Sequence, residues 1–311
     1  MSIQKTATRS NSLMAPNRKY FKLLPAILLL LVTTFASGQS EPKALLWKIS
    51  GNGLTEPSYL FGTFHLLGSK FLEEVKEVEG PLNNAKGVVV EMVIDSSKMM
   101  SMMSMAIMTN NKISNLISAE DYKIVSDELQ KMSGYNMKLF DSFKPIQVSL
   151  LLSMARMKKV NEETLAKYTG TPLDFHIANT GKKSGKSVTQ LETMEEQMKM
   201  IFDHDPVEVQ AKNLVTSAKG GEPLLKSYAD LFNTYLSKDL VGLYKLMESS
   251  PEGFDMDYLV KNRNENWVKK LPELMTLGSQ FIAVGAGHLP GEYGLIKLLR
   301  KKGYRVEAVT K

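Results

Sequence analysis

Phe281-Ile282-Ala283-Val284-Gly285-Ala286-Gly287-His288 is an apolar, β-prone run that stops at glycine and delivers a histidine just past its end. Near the other end of the chain, Tyr59-Leu60-Phe61-Gly62-Thr63-Phe64-His65 does the same. Both read as a strand closed by Gly-x-x-His, and the chain has only four histidines to place. In open α/β sheets, ligands bind in the crevice beyond the carboxyl ends of the strands. Two imidazoles carried to that edge from opposite ends of the sequence therefore point to one shared sheet and one shared site.

The flanking segments extend the pattern. Ala44 to Ile49 and Ser58 to Phe64 are strand-like runs joined by Gly51-Asn52-Gly53-Leu54-Thr55-Glu56-Pro57, which is turn chemistry and predicts an antiparallel pair. Lys70 to Ala85 carries Phe71, Val75, Val78 and Leu82 at helical spacing. The run Gly87 to Ile94 is apolar apart from Glu91, as in a strand covered on both faces. These segments form a β-α-β unit, whose crossover is right-handed and parallel. At the other end, strand Gln280–Val284, helix Gly291–Lys302 and strand Tyr304–Val309 repeat the arrangement.

Between the halves, about residues 95–277, the pattern is helical. A Met-rich run (Met99, Met100, Met102, Met103, Met105, Met108) reads as an adaptable apolar helix face. A substrate groove or a soft-metal site is the alternative, but nothing nearby supports one. Ser118 opens a helix, Pro145 starts the next, and Gly181 is expected to close a short helix over Pro172–Thr180. Lys186–Leu191 is a short strand, and Thr193-x-x-Glu196 resembles a capping box. The fold class is therefore α/β, a mixed sheet built from N- and C-terminal β-α-β units with a large helical insertion.

The first 38 residues are excluded from the fold. Lys5, Arg9, Arg18, Lys19 and Lys22 make a basic, acid-free leader, Leu23–Ala36 is apolar, and Ala36-Ser37-Gly38 supplies small residues for cleavage. That is the layout of a secretory signal peptide. The apolar stretch is shorter than the ~20 residues that span a bilayer, so no stable transmembrane anchor is expected after cleavage. An exported protein, periplasmic or secreted, is the expectation, with residues 39–311 as a single domain.

The leader holds five of the 39 basic residues and none of the 33 acidic ones, so the rest of the chain is nearly neutral despite the overall +6. No polyanion is implied, and nucleic acid is set aside as a partner. Cysteine is absent, which removes disulfides, thiolate ligands and a cysteine nucleophile. Any metal must be held by nitrogen and oxygen.

The strand ends present His65, Glu91, Glu192 and His288. Two imidazoles and a carboxylate with an open position suit hydrolytic zinc, and also Mn, Fe or Co. Such an ion polarises a carbonyl and makes water acidic enough to react near pH 7. The spare carboxylate can act as base or orient a histidine. Gly62, Gly285 and Gly287 permit sharp turns and close approach of backbone to a ligand. The N–H groups of a helix opening at Gly291 can hold an oxyanion. Each residue also has an ordinary structural reading: a hydrogen-bonded strand-end histidine, a first-turn acid at Glu192. Glu91 is different, since a carboxylate in an apolar run needs a partner. Gly285-x-Gly287 lacks the third glycine of a dinucleotide fingerprint. No Gly-x-Ser-x-Gly elbow is present. His176 and His204 take the structural reading.

These stretches resemble the TraB/GumN family, related to the Tiki metalloproteases. The similarity rests on Leu45-Leu46-Trp47-Lys48-Ile49, on Pro57 through His65, on Val88-Val89-Val90-Glu91, and on Leu173-Asp174, Ala178 and Leu191-Glu192-Thr193. It continues through Arg263-Asn264, Val284 through Gly291 and Gly303-Tyr304-Arg305-Val306. The resemblance implies a metallopeptidase-like fold with His65, Glu91 and His288 as ligands of a divalent ion (Zn, Mn or Co). It makes Glu192 and Arg263 supporting site residues, with a peptide or protein as substrate. Arg263, always charged, suits a carboxylate clamp or an oxyanion donor. The expected function is an exported metal-dependent hydrolase. The competing expectation is a non-catalytic metal- or haem-binding protein using the same histidines, and a third is an inert interaction domain.

Overall fold

The computed structural model describes residues 41–250 and 255–310; the leader and its cleavage site lie outside them. Six strands form one sheet: β1 (Leu46–Ser50), β2 (Ser58–Thr63), β3 (Gly87–Val90), β4 (Ser187–Gln190), β5 (Gln280–Gly285) and β6 (Arg305–Ala308). Their order is β4-β3-β5-β2-β1-β6. β4, β3, β5 and β2 are parallel neighbours, and β1 is antiparallel to both β2 and β6. Only β1 runs against the others. β5, from the far end of the chain, inserts between β2 and β3, so the sheet closes only when both ends meet.

Register decides what shares the rim. Thr63 pairs with Gly285, Val90 with Ala283, and Gln190 with Val90. Residues just past β2, β3, β4 and β5 therefore emerge side by side. Every residue of β3 is buried, as is β5 up to its last glycine, which explains their unbroken apolar sequence.

The helices used below are α1 (Met99–Met105), α2 (Ala119–Ser133), α3 (Pro145–Val160), α4 (Leu173–Lys183), α5 (Met194–Asp203), α6 (Val207–Ala218), α7 (Gly221–Leu236), α8 (Asn262–Thr276) and α9 (Leu295–Lys301). The helical insertion has an apolar core of its own, with Ile113, Val125, Leu129, Val148, Leu152 and Leu214 buried between α2, α3 and α6. Arg156 pins it: buried, it donates to Glu128 Oε1 and to Ser217 O, both at 3.0 Å. Ser118 caps α2, and Thr193 with Glu196 forms the full capping box of α5.

Three local expectations are corrected. Lys70–Ala85 is not one helix but two 3₁₀ turns (Ser69–Glu74, Lys76–Val78) and a short α-turn over Glu79–Asn84. Gly80 and Pro81 explain the break, since one weakens a helix and the other lacks an N–H to donate. Gly181 does not end α4 but lies inside it, where a Cβ would come within 2.8 Å of Val88 and 3.1 Å of Val188. Its bareness seats α4 on the sheet. Finally, the helix after His288 begins at Leu295 rather than Gly291, which has φ +88° and packs on Tyr244. The helical N–H groups expected beside the histidine are displaced along the chain.

No helix among the described residues is long and apolar enough to cross a membrane. In α1, Met102 is buried and Met100 and Met103 are exposed, so the methionine run is amphipathic.

Candidate active site

Glu91 leaves β3 directly beside the end of β5. Its Oε1 accepts from the Gly285 N–H at 2.6 Å, and its Oε2 from Arg263 Nη2 at 2.6 Å. A Cβ at Gly285 would lie 3.2 Å from Glu91 Oε1, so that glycine makes room for the carboxylate. Glu192, first past β4 and its following leucine, takes Arg263 Nε at 3.2 Å and Arg263 Nη2 on its two oxygens. Gln197, in the first turns of α5, donates to Glu192 Oε1 at 3.0 Å and to Glu91 Oε2 at 3.4 Å, bridging the two acids.

Arg263 enters from α8. A π-helical turn over Asp257–Lys261 precedes that helix, and the Leu259 carbonyl accepts from Arg263 Nη1 at 3.3 Å. The same Nη1 contacts His288 Nε2 at 2.9 Å, and Trp267 supports the guanidinium face at 4.6 Å. All five guanidinium N–H groups thus have partners.

The next residue of α8 fixes the state of His288. Asn264 is fully buried, and its amide nitrogen donates to the carbonyls of His288 (2.9 Å) and Tyr293 (2.8 Å). Its oxygen must therefore be the atom that faces His288 Nδ1 at 2.8 Å, so Nδ1 carries the proton. Nε2 then holds a lone pair, as the donor-only arginine against it also requires. Burial pushes the His288 pKa down to about 3, consistent with a neutral ring. Burial works to raise the Glu91 pKa, but the surrounding charges, Arg263 among them, and the Gly285 N–H hold it below the usual carboxylate range.

His65 stands differently. Its Nδ1 bonds Asp174 Oδ2 at 2.6 Å, Thr63 Oγ1 donates to the other carboxylate oxygen, and the ring is 74% exposed. Asp174 raises the His65 pKa above the ordinary imidazole range. Solvent around the open ring screens that pull. Both histidines therefore have Nδ1 engaged by a neighbouring side chain, which leaves Nε2 as the ligating atom, the way metal-binding histidines are held.

The structure thus brings Glu91, Glu192, Arg263 and His288 into one hydrogen-bonded cluster and sets His65 on the same rim. A Cβ at Gly62 would lie 3.1 Å from Ala286, and one at Gly287 would lie 2.7 Å from Met247, so these two admit protein neighbours to the site's frame. Three participants escaped the sequence reading: Asn264, Gln197 and Asp174. The first and last lie in segments quoted for the family resemblance, but no local period assigns them a partner. His204 sits between Asp205 and Asp255 and stacks on Tyr258, and takes no part.

Whether these residues suit a divalent ion is testable on their own geometry. His288 Nε2 and Glu91 Oε1 are 4.0 Å apart, wider than the ~3.4 Å between two donors at ~2.0–2.2 Å from a tetrahedral ion, so the side chains would have to close for one ion to touch both. The donor types fit Zn, Mn or Co. Among the described residues, no group of three His, Asp or Glu side chains is already gathered around one point. The residues fit the ion in chemistry, with Arg263 lying on the His288 Nε2 lone pair and on the second oxygen of the same Glu91 carboxylate.

Asp174→Asn tests the support behind His65. Loss of its carboxylate is expected to cut metal affinity or turnover by about 10–100-fold, with little change in Tm. Metal titration and kcat/KM on the purified variant check this.

The TraB/PrgY/gumN family matches residues 45–308 of the chain. The protein named Metalloprotease TIKI2 from Danio rerio is 22% identical, over 86% of this chain and 61% of its own length. The Metalloprotease TIKI homolog from Amphimedon queenslandica is 21% identical, over 88% of this chain and 63% of its own. The chain therefore spans about three fifths of the length of the curated relatives it matches. No solved structure matches it.

Proposed function

The chain belongs to the TraB/PrgY/gumN family, and from that membership and the rim geometry we propose that it is an exported metal-dependent hydrolase that cleaves peptide bonds. The observation that carries this reading is the neutral His288, whose Nε2 lone pair lies 4.0 Å from a Glu91 oxygen at the carboxyl edge of a parallel sheet. His65, Glu91 and His288 hold the ion; Zn, Mn and Co all suit such donors. When bound, the ion supplies Lewis acidity and makes water reactive near neutral pH.

The chain's own groups do the rest. Asp174 and Asn264 hold Nδ1 of the two rings and so leave Nε2 to bind the ion. Glu192 and Gln197 hold Arg263 and Glu91 in place, and Arg263 sets a fixed positive charge beside an oxygen that gains charge during reaction. The exposed His65 ring leaves its side of the site open to solvent. A polypeptide is the substrate class proposed; two grooves take in the residue after each histidine, and none of His65, Glu91, Glu192, Arg263 or His288 lines them. One, of about 710 Å³, runs past Leu66, Tyr135, Leu151, Met154 and Lys158; the other, of about 700 Å³, passes Trp47, Leu240, Leu289, Pro290 and Arg300. Both are mostly apolar, as a peptide side chain requires. The TIKI relatives are named metalloproteases, which agrees.

A library of quenched fluorescent peptides tests the reading. Cleavage is expected with Mn²⁺, Co²⁺ or Zn²⁺, is lost on chelation and returns when the ion is restored. Cleavage that survives exhaustive chelation contradicts the metal; no cleavage of any peptide under all three ions contradicts the reaction.

A further inference from the structure

The centre already contains a cation. Arg263 spends one N–H on His288 Nε2, a lone pair a divalent ion would use, and one on Oε2 of the Glu91 carboxylate that would be its other donor. The other Glu91 oxygen is held by the Gly285 N–H. Glu91, Glu192 and Arg263 are each only 12% exposed in their side chains, so neighbouring charges interact with little help from water. With His288 neutral, two carboxylates face one guanidinium. A divalent ion added beside an unmoved arginine sets three positive charges against two negative ones and finds its donors occupied. The two cations compete for His288 Nε2 and for the charge of the Glu91 carboxylate.

Arg263 has somewhere to go. Glu192 grips it through Nε and Nη2, contacts that do not involve His288 or Glu91. Trp267 offers a flat face against which the guanidinium can turn. Resting on the metal-site reading proposed above, we infer that Arg263 is a resident cation that a divalent ion displaces from His288 Nε2 and Glu91 Oε2, with Glu192 retaining it beside the site. In the displaced position one Nη1 and one Nη2 N–H are freed for a substrate oxygen. One residue thus binds two carboxylates and an imidazole lone pair without metal, and becomes a substrate donor with it.

The opposite role, an arginine that merely props the ligands in place, makes the opposite prediction for metal affinity. The experiment titrates Co²⁺ alone into the full chain, followed by visible absorbance, for wild type, Arg263→Gln and Arg263→Lys. Loss of a competing charge at this range is expected to lower the Co²⁺ Kd by about tenfold or more in Arg263→Gln, with Arg263→Lys between it and wild type. A Kd in Arg263→Gln equal to or weaker than wild type overturns the inference. Arg263→Gln leaves two acids unpaired, so circular dichroism accompanies the titration. Should it not fold without metal, the Co²⁺-induced rise in Tm of Arg263→Lys is decisive: larger than in wild type supports displacement, equal or smaller overturns it. If wild type binds Co²⁺ and the variants bind no tighter, the inference alone fails. If wild type and variants all fail to bind, the metal reading falls with it.

Discussion

Glu91→Gln is expected to lower kcat/KM on a cleavable peptide by a factor on the order of 10³ or more while the protein stays folded. The substitution preserves shape, and a glutamine oxygen can still accept from the Gly285 N–H, 2.6 Å from the present carboxylate. What it removes is the charge that an ion and Arg263 share, and it turns an amide N–H₂ toward an arginine that can only donate. Arg263 keeps its two contacts with Glu192, so the stability loss is limited to about 1–3 kcal/mol, that of one unsatisfied buried contact. Steady-state kinetics and thermal melting separate the two effects. A variant that retains activity within about tenfold of wild type removes Glu91 from the chemistry, because loss of a group at the reacting centre costs more than that.

Asn264→Leu is the second large effect, and it acts on folding as much as on catalysis. Three buried partners depend on this one amide: the carbonyls of His288 and Tyr293 and the Nδ1–H of His288. Leucine has similar bulk and satisfies none of them. With each orphaned buried group costing about 1–3 kcal/mol, the expected loss is about 3 kcal/mol or more in urea denaturation. Activity falls as well, because Arg263 alone then favours the tautomer that leaves a lone pair on Nε2, and the ring loses its anchor at Nδ1. Asn264→Asp discriminates the two roles, since it can accept from Nδ1 but cannot donate to both carbonyls. It is expected to recover part of the turnover and little of the stability. A leucine variant as stable as wild type contradicts the hydrogen-bond account.

The sheet was legible because its signals are local. Runs such as Val88-Val89-Val90 and Phe281 through Val284 read as strands buried on both faces, and each Gly-x-x-His marked where a strand stops. The capping box at Thr193 announced α5, and small-residue punctuation bounded the halves. Convergence of Glu91, Glu192, Arg263 and His288 followed from placing strand ends along one edge, with family resemblance supplying Arg263. The rest depends on tertiary placement. Asp174 reaches His65 across 109 residues because α4 lies against β3 and β4, a seat made by the bare Cα of Gly181. Alone, that glycine reads as a helix stop. Gln197 is one polar residue in an acid-rich turn until α5 is laid beside two carboxylates. The 3₁₀ turns over 69–78 kept the apolar spacing of a helix, so periodicity could not reveal them.

The central claim is that the rim of the parallel strands holds one divalent ion between the two Gly-x-x-His histidines. The most direct test measures metal bound per chain, after equilibration with Zn²⁺, Mn²⁺ or Co²⁺ and removal of free ion, in wild type and in the His65→Ala/His288→Ala double variant. One ion per wild-type chain and none in a folded double variant is the predicted result. Equal metal content in the two proteins, or none in either, contradicts it.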